Sequence, residues 1–302
     1  MHGLAQLIIH HLAGATIHFS GDFLFPGEIV RKLASTDVTD VSGTPFHMAM
    51  MLERGKLLDA DLPHWKRFIV VGGKLNADHA RQLIEGRPGT EVHVCYGLTE
   101  CAPRATALRP ERVLDKPDAV GMAIPGVTVE VIGDDGEPLP VGETGEVVVS
   151  GPNIMAGYWR DPEGTAERVD ARGRLRTGDL GHFDADGDLR LVGRADAMIK
   201  SAGERIFPAE IERVLLTDAD VDEAVVVGVP DPTLGQRVEA HVQLAPGAAA
   251  GNDLRLRLRA ACLQALPLGR VPAKFHAWAA FPRRPNGTLD RPALLEGPPT
   301  VP

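Results

Sequence analysis

The chain has 302 residues, 44% of them hydrophobic and 24% charged, with a formal net charge of -9. That length accommodates one large domain or two unequal ones around a sizeable core. The acidic balance excludes a nucleic-acid surface, which needs Lys and Arg clustered toward phosphates, and no apolar run approaches the ~18 residues of a membrane span. The opening MHGLAQLIIHH carries no basic leader with a small-residue cleavage site, so the expected location is the cytoplasm. Cys95, Cys101 and Cys262 are too scattered for a disulfide framework or a zinc site and are expected as free thiols in or near packed structure.

Apolar helical stretches alternate with β-branched runs through the first half. GLAQLIIHHLAG reads as a helix, ATIHF as a strand, PGEIVRKLAS as a helix opened by Pro26, and RFIVVGG and EVHVCYG as strands. Such alternation predicts a parallel or mixed sheet with helices against it. Small residues at strand ends (Gly72, Gly73, and Gly97 after Tyr96) place ligand binding in this half. From about residue 118, VTVEVIG, GEVVVSG and GHFDADGDLRLVGR, separated by turns, predict a small antiparallel sheet or distorted barrel. After Arg194 come a turn, a helix begun at Pro208, the strands EAVVVGV and VEAHVQL, the long helix DLRLRLRAACLQAL and a final strand, the pattern of a small α+β domain. The predicted organisation is a large α/β domain over residues 1–194, with its α/β part at 1–117 and its β part at 118–194, then an α+β domain at 195–302.

Three stretches carry chemistry. YGLTE, residues 96–100, is either a turn ending a strand or a nucleotide platform in which Tyr96 stacks a base, Thr99 donates to a phosphate and Glu100 offers oxygen to magnesium. DADGD, 184–188, lacks the length and the glutamate of a calcium loop and reads as a hairpin turn. In TGD and GR, Asp179 could accept two ribose hydroxyls and Arg194 could fork a phosphate or ribose oxygen, against the plainer readings of a capping Asp and a surface Arg.

Taken in order, GG at 72, YGLTE at 96, GYW at 157, TGD at 177, GRADAMIK at 193, AGERIFPAEIE at 202 and PNGTLD at 285 resemble the adenylate-forming superfamily of acyl-CoA ligases, luciferases and peptide-synthetase adenylation domains. The resemblance covers essentially the whole chain. It implies that a carboxylate is joined to ATP as acyl-AMP, and that a thiol such as CoA then attacks the mixed anhydride. It assigns Tyr96 to adenine with Gly72, Gly73 and Gly97 nearby, Thr99 to phosphate, Glu100 to magnesium, Asp179 to ribose and Arg194 to ribose and phosphate. Asp196 matches the hinge of the small domain, and Lys200 with Ser201, Ala202 and Gly203 matches the face that lines the CoA tunnel. Lys200 is the candidate for assisting thioester formation, with a solvated hinge lysine as the alternative.

Two departures shape the expected function. The superfamily's closing motif carries lysine where this chain has Thr288, and losing such an electrostatic stabiliser of adenylation costs about 100-fold to 1000-fold in rate. No Ser, Thr and Gly-rich phosphate loop followed by lysine occurs in the 302 residues, as if the first part of the adenylate-forming domain were truncated. The expectation is a non-adenylating ligase that transfers an acyl group from preformed acyl-AMP to CoA, without using ATP and with magnesium allowed but not required. A pseudoenzyme that binds acyl-AMP or a ligase, one chain of a split two-chain ligase, and a carrier-protein thiol in place of CoA stay open. Expected partners are a separate adenylating ligase that supplies acyl-AMP, or a second copy in a homodimer.

Overall fold

The computed structural model describes residues 2–19, 25–284 and 289–296. The chain divides into two compact units, residues 1–191 and 192–302, with the division inside a strand.

In the first unit, helices and strands alternate as α1 (His2–Leu12), α2 (Pro26–Ala34), β1 (Asp40–Gly43), α3 (Pro45–Glu53), β2 (Arg67–Val70), α4 (Ala77–Gly86) and β3 (Glu91–Tyr96). The helix starts are written locally. Pro26 opens α2, and Thr44 caps α3 ahead of Pro45, its hydroxyl accepting from the His47 N–H while the His47 ring accepts from the Thr44 N–H. The Asn76 side chain caps α4 through the N–H groups of Asp78 and His79. The helices bury Ile29, Leu33, Met48, Met51 and Leu83 in one cluster with Phe68, Val70, Val92 and Val94 of the strands. Full burial of each such side chain contributes about 1.5–3 kcal/mol.

The unit continues as β4 (Thr106–Leu108), β5 (Ala119–Ala123), β6 (Thr128–Ile132), β7 (Gly145–Ser150), α5 (Pro162–Arg168), β8 (Leu175–Phe183) and β9 (Leu189–Arg194). The strands form one nine-stranded sheet in the order β1-β2-β3-β4-β5-β9-β8-β7-β6. Strands β1, β2 and β3 are parallel, and the ladders from β3 to β4 onward are antiparallel. The β part is therefore antiparallel as expected but continuous with the parallel part. The join is made by β4 and β5, where Gly121 adopts φ +83° and a Cβ on it would lie 2.0 Å from the Ala107 carbonyl oxygen. Only glycine permits that approach. ATIHF is not a strand: residues 15–19 lack regular structure, and β1 is the terminal strand of the sheet.

The second unit contains β10 (Ile199–Ser201), β11 (Glu204–Ile206), α6 (Pro208–Leu215), β12 (Val221–Asp231), β13 (Gly235–Leu244), α7 (Asn252–Ala265), β14 (Lys274–Trp278) and α8 (Arg291–Glu296). Strands β12 and β13 form a long hairpin, β14 lies parallel to β13, and the β10–β11 hairpin touches β13 at Ser201 and Gly235. Strand alternation sends Val226, Val238, Ala240 and Val242 into a core with Ile211, Leu215, Leu254, Leu258 and Cys262 of α6 and α7. Val225 and Val227 join a separate cluster with Trp278, Phe281 and Leu294. A large α/β domain carrying the mixed sheet, followed by a small α+β domain, is the architecture expected from the sequence.

Candidate functional site

The parallel strands β1, β2 and β3 end at Gly43, Val70 and Tyr96, and the loops leaving β2 and β3 carry predicted residues. Gly72 has φ +76°, open to glycine at no steric cost, and a Cβ on Gly73 would lie 3.3 Å from the Pro45 ring. At Gly97 the constraint is tighter, because a Cβ there would lie 2.5 Å from the Pro103 carbonyl carbon and oxygen. The chain thus doubles back over itself: Ala105 N–H donates to the Tyr96 carbonyl (2.7 Å), and a single 3₁₀ turn, Thr99–Cys101, forms the tip with Thr99 exposed.

TGD has an equally local cause. The β7–β8 register shifts between Glu146 and Val148, so that extra residues of β8 bulge opposite Val147. Gly178 at φ +72° makes the bulge possible. The Thr177 hydroxyl donates to the Val147 carbonyl (2.7 Å) and accepts from the Asp179 N–H (3.0 Å), satisfying both groups where the ladder is interrupted. Asp179 is thereby brought to Tyr96, whose hydroxyl donates to Asp179 Oδ2 at 2.6 Å, a length characteristic of a charge-assisted bond. Burial first, and then the Asp179 carboxylate, push the Tyr96 phenol far above its ordinary range. Tyr96 is only 9% exposed and belongs to the buried cluster with Val129, Val147 and Leu175, so base stacking would rest on a narrow strip of its ring.

Glu100 has its own phenol. Tyr158 OH donates to Glu100 Oε1 at 2.7 Å, and that bond, followed by burial, raises the Tyr158 pKa. Residues 153–158 brace the whole turn. Asn153 donates to the carbonyls of Cys101 (2.9 Å) and Arg104 (3.2 Å), and Met155 N–H donates to the Glu100 carbonyl (2.8 Å). Tyr158 is anchored in turn by Thr165 of α5, whose hydroxyl accepts from the Tyr158 N–H (2.9 Å). Neither Asn153 nor Tyr158 was assigned a role from the sequence, although GYW marked the segment. The thiols are buried as expected, and burial raises all three, Cys262 to about 11.

In the second unit, Arg194 and Asp196 pair with each other through two contacts of 3.2 Å. Lys200 is exposed between buried Ile199 and Ser201, and Ala202 (φ +50°) and Gly203 (φ +84°) form the exposed two-residue turn of the β10–β11 hairpin. Such a turn with both φ values positive matches the twist of its strands. Gln236, which no sequence argument explained, holds this strand: its Oε1 accepts from the Lys200 N–H at 2.8 Å. Ser201 is buried, so toward solvent this segment offers the Lys200 side chain and the Ala202–Gly203 turn. Thr288 lies outside the described residues.

The AMP-binding enzyme profile matches residues 1–159, more than half of the chain, and the AMP-binding enzyme C-terminal domain profile matches residues 210–288. The chain belongs to the AMP-binding enzyme family. Among curated relatives of the family it is 39% identical over 301 residues to sulfoacetate–CoA ligase of Cupriavidus necator, covering 97% of this chain and 58% of that protein. It is 38% identical over 273 residues to 2-succinylbenzoate–CoA ligase of Geobacillus kaustophilus, covering 89% and 53%. The chain thus spans somewhat more than half the length of these relatives. Its structure resembles o-succinylbenzoate CoA synthetase from Bacillus subtilis in complex with the acyl-adenylate intermediate, with TM-score 0.82 and 28% identity, over 98% of this chain and 58% of that one. It also resembles an amide bond synthetase from Marinactinospora thermotolerans, with TM-score 0.81 and 32% identity, over 93% and 55%.

Family membership raises the question of magnesium. Glu100 is a single, partly exposed carboxylate, which suits an ion held mainly by substrate phosphates and water and not by an all-protein cage. Among the described residues, the one group of three or more side chains close enough to share an ion is Asp184, Asp186 and Asp188. There the Lys116 ammonium sits 2.6, 2.8 and 2.6 Å from the three carboxylates, so the turn is closed by a lysine, in keeping with a hairpin and not a calcium loop. Cavities of about 540 and 380 Å³ between α7 and β14 include none of the predicted site residues.

Proposed function

We propose that this member of the AMP-binding enzyme family performs the thioester-forming half-reaction of an acyl-CoA ligase, taking an acyl-adenylate and CoA to acyl-CoA and AMP. The CoA sulfur attacks the acyl carbonyl carbon and a C–S bond forms. The C–O bond to AMP breaks, AMP leaves with that oxygen and its electron pair, and the thiol proton passes to solvent. The nucleotide roles fall to Asp179 for the ribose, Tyr96 and the Gly72–Gly73 turn beside adenine, Thr99 for the phosphate, and Arg194 for ribose and phosphate. Magnesium, where bound at Glu100, would neutralise phosphate charge. Lys200 and the Ser201–Gly203 segment are assigned to the thiol side, and the acyl-adenylate would come from a separate adenylating ligase.

The observation that carries the reading is the threonine at position 288; the hydrogen bonds from Tyr96 to Asp179 and from Tyr158 to Glu100 support it. A hydroxyl cannot supply the unit charge that adenylation calls for, whereas an anhydride already formed carries its own leaving group. ATP–pyrophosphate exchange isolates the adenylation step. With a panel of aliphatic and aromatic acids, no exchange above background is expected, and exchange that depends on the acid would overturn the proposal.

A further inference from the structure

The chain contains only two tyrosines, and each phenol donates to a carboxylate of the candidate site, Tyr96 to Asp179 and Tyr158 to Glu100. The Tyr96 bond has the firmer setting. Its ring is buried in the cluster behind β8, and its hydroxyl reaches 83 residues along the chain to the residue that the Gly178 bulge displaces. Asp179 is thus held at both ends, its N–H by the Thr177 hydroxyl and its Oδ2 by the phenol. A carboxylate pinned at one oxygen has the plane of its group fixed, and a vicinal diol is recognised best by a carboxylate whose plane is fixed.

We propose that the Tyr96 hydroxyl is the positioning group for Asp179 and sets the preference of the nucleotide site for an adenylate with a free ribose diol. The inference rests on the assignment of Asp179 to ribose made above and adds to it the origin of the sugar selectivity.

The test uses calorimetric binding of AMP and of 2′,3′-dideoxy-AMP, which differ only in the diol. Wild-type protein prefers AMP by about tenfold or more, the worth of hydrogen bonds to a charged group. Tyr96→Phe keeps the ring and loses the hydroxyl: its AMP affinity falls toward that for the dideoxy nucleotide, which itself hardly changes. Asp179→Asn loses the same preference, and adding Tyr96→Phe to it costs little more, the non-additivity expected of two groups acting as one. Tyr158→Phe removes an equally near phenol from a different carboxylate and leaves the ratio of the two affinities unchanged.

A measurement on wild-type protein covers the case in which Tyr96→Phe fails to fold. With ring-labelled tyrosine, two sets of signals are expected, and the set absent from the spectrum of Tyr158→Phe identifies Tyr158. The Tyr96 set moves with both nucleotides, which share the adenine, and AMP and dideoxy-AMP shift it to different positions. Undiminished discrimination in Tyr96→Phe, or a Tyr96 signal indifferent to the diol, overturns the proposal while leaving the nucleotide reading intact. Wild-type protein that binds neither nucleotide overturns both.

Discussion

Gly178 concentrates the physical chemistry of the site in one residue. At φ +72°, in the left-handed region, it lets β8 bulge and turns Asp179 toward Tyr96. Gly178→Ala is expected to cost about 1–2 kcal/mol in urea unfolding, the penalty of a Cβ in that region, and to weaken AMP binding with it. His241 gives a prediction of a different kind. Burial, reinforced by stacked His276 and opposed by Glu239, lowers its pKa from 6.5 to about 4, and its Nδ1 accepts from Trp278. The unfolded chain binds this proton more readily, so the stability contributed by neutral His241 is full above pH 6.5 and lost as the pH falls from 6.5 toward 4. His241→Gln should flatten that part of the stability–pH curve, and an unchanged slope would show that other groups set it. In TGD and YGLTE, Gly178, Gly97 and the Thr177 hydroxyl have backbone roles, which is the kind of role a short string displays. The bond between Tyr96 and Asp179 was not legible in the sequence, since it joins residues on different strands through a bulge that only the folded ladder reveals.

Elements brace one another across long stretches of chain. The segment 153–158 holds the YGLTE turn through Asn153, Met155 and Tyr158. Asn153→Ala strips the carbonyls of Cys101 and Arg104 of a donor, and about 1–3 kcal/mol of stability should go with it, read by urea unfolding. The β8–β9 turn is closed in a similar way by Lys116. Partial burial works against ionisation of Asp184, but Lys116, the N–H groups of Asp188 and Asp186, and Arg190 together hold its pKa at about 2. The stability this confers is fully present above about pH 4 and is lost as the pH falls toward 2. Lys116→Met should lower the melting temperature at pH 7 by several degrees and narrow its gap from wild type near pH 2; an equal gap at both pH values would contradict the account. DADGD was readable as a turn from its residues, but its lysine comes from 68 residues upstream. ATIHF failed as a strand for a related reason, because β propensity needs a neighbouring strand to pair with.

At the scale of the molecule, the elements that hydrophobic periodicity and turn residues marked appear in the expected order and type apart from ATIHF, as does the character of the two domains, whereas α3, α4, α5, α8, β1, β4 and β5 were not singled out. Burial of individual helices does not follow from those signals. No residue of α1 is buried, and Leu4, Ile8 and Leu12, one face of the helix, are 54%, 50% and 80% exposed. Apolar residues at i, i+4 and i+8 signal a helix face that packs, but they do not name what it packs against. This chain on its own should bind a hydrophobic dye and self-associate with concentration in light scattering, and charged residues at these three positions should suppress both. One assay separates the two half-reactions most directly: purified protein with synthetic acyl-adenylates and CoA, and in parallel the free acids with ATP, magnesium and CoA, scored for acyl-CoA by mass spectrometry. Thioester from the adenylates above the uncatalysed background, with none from the acids, is the predicted result; thioester from free acid and ATP would contradict it.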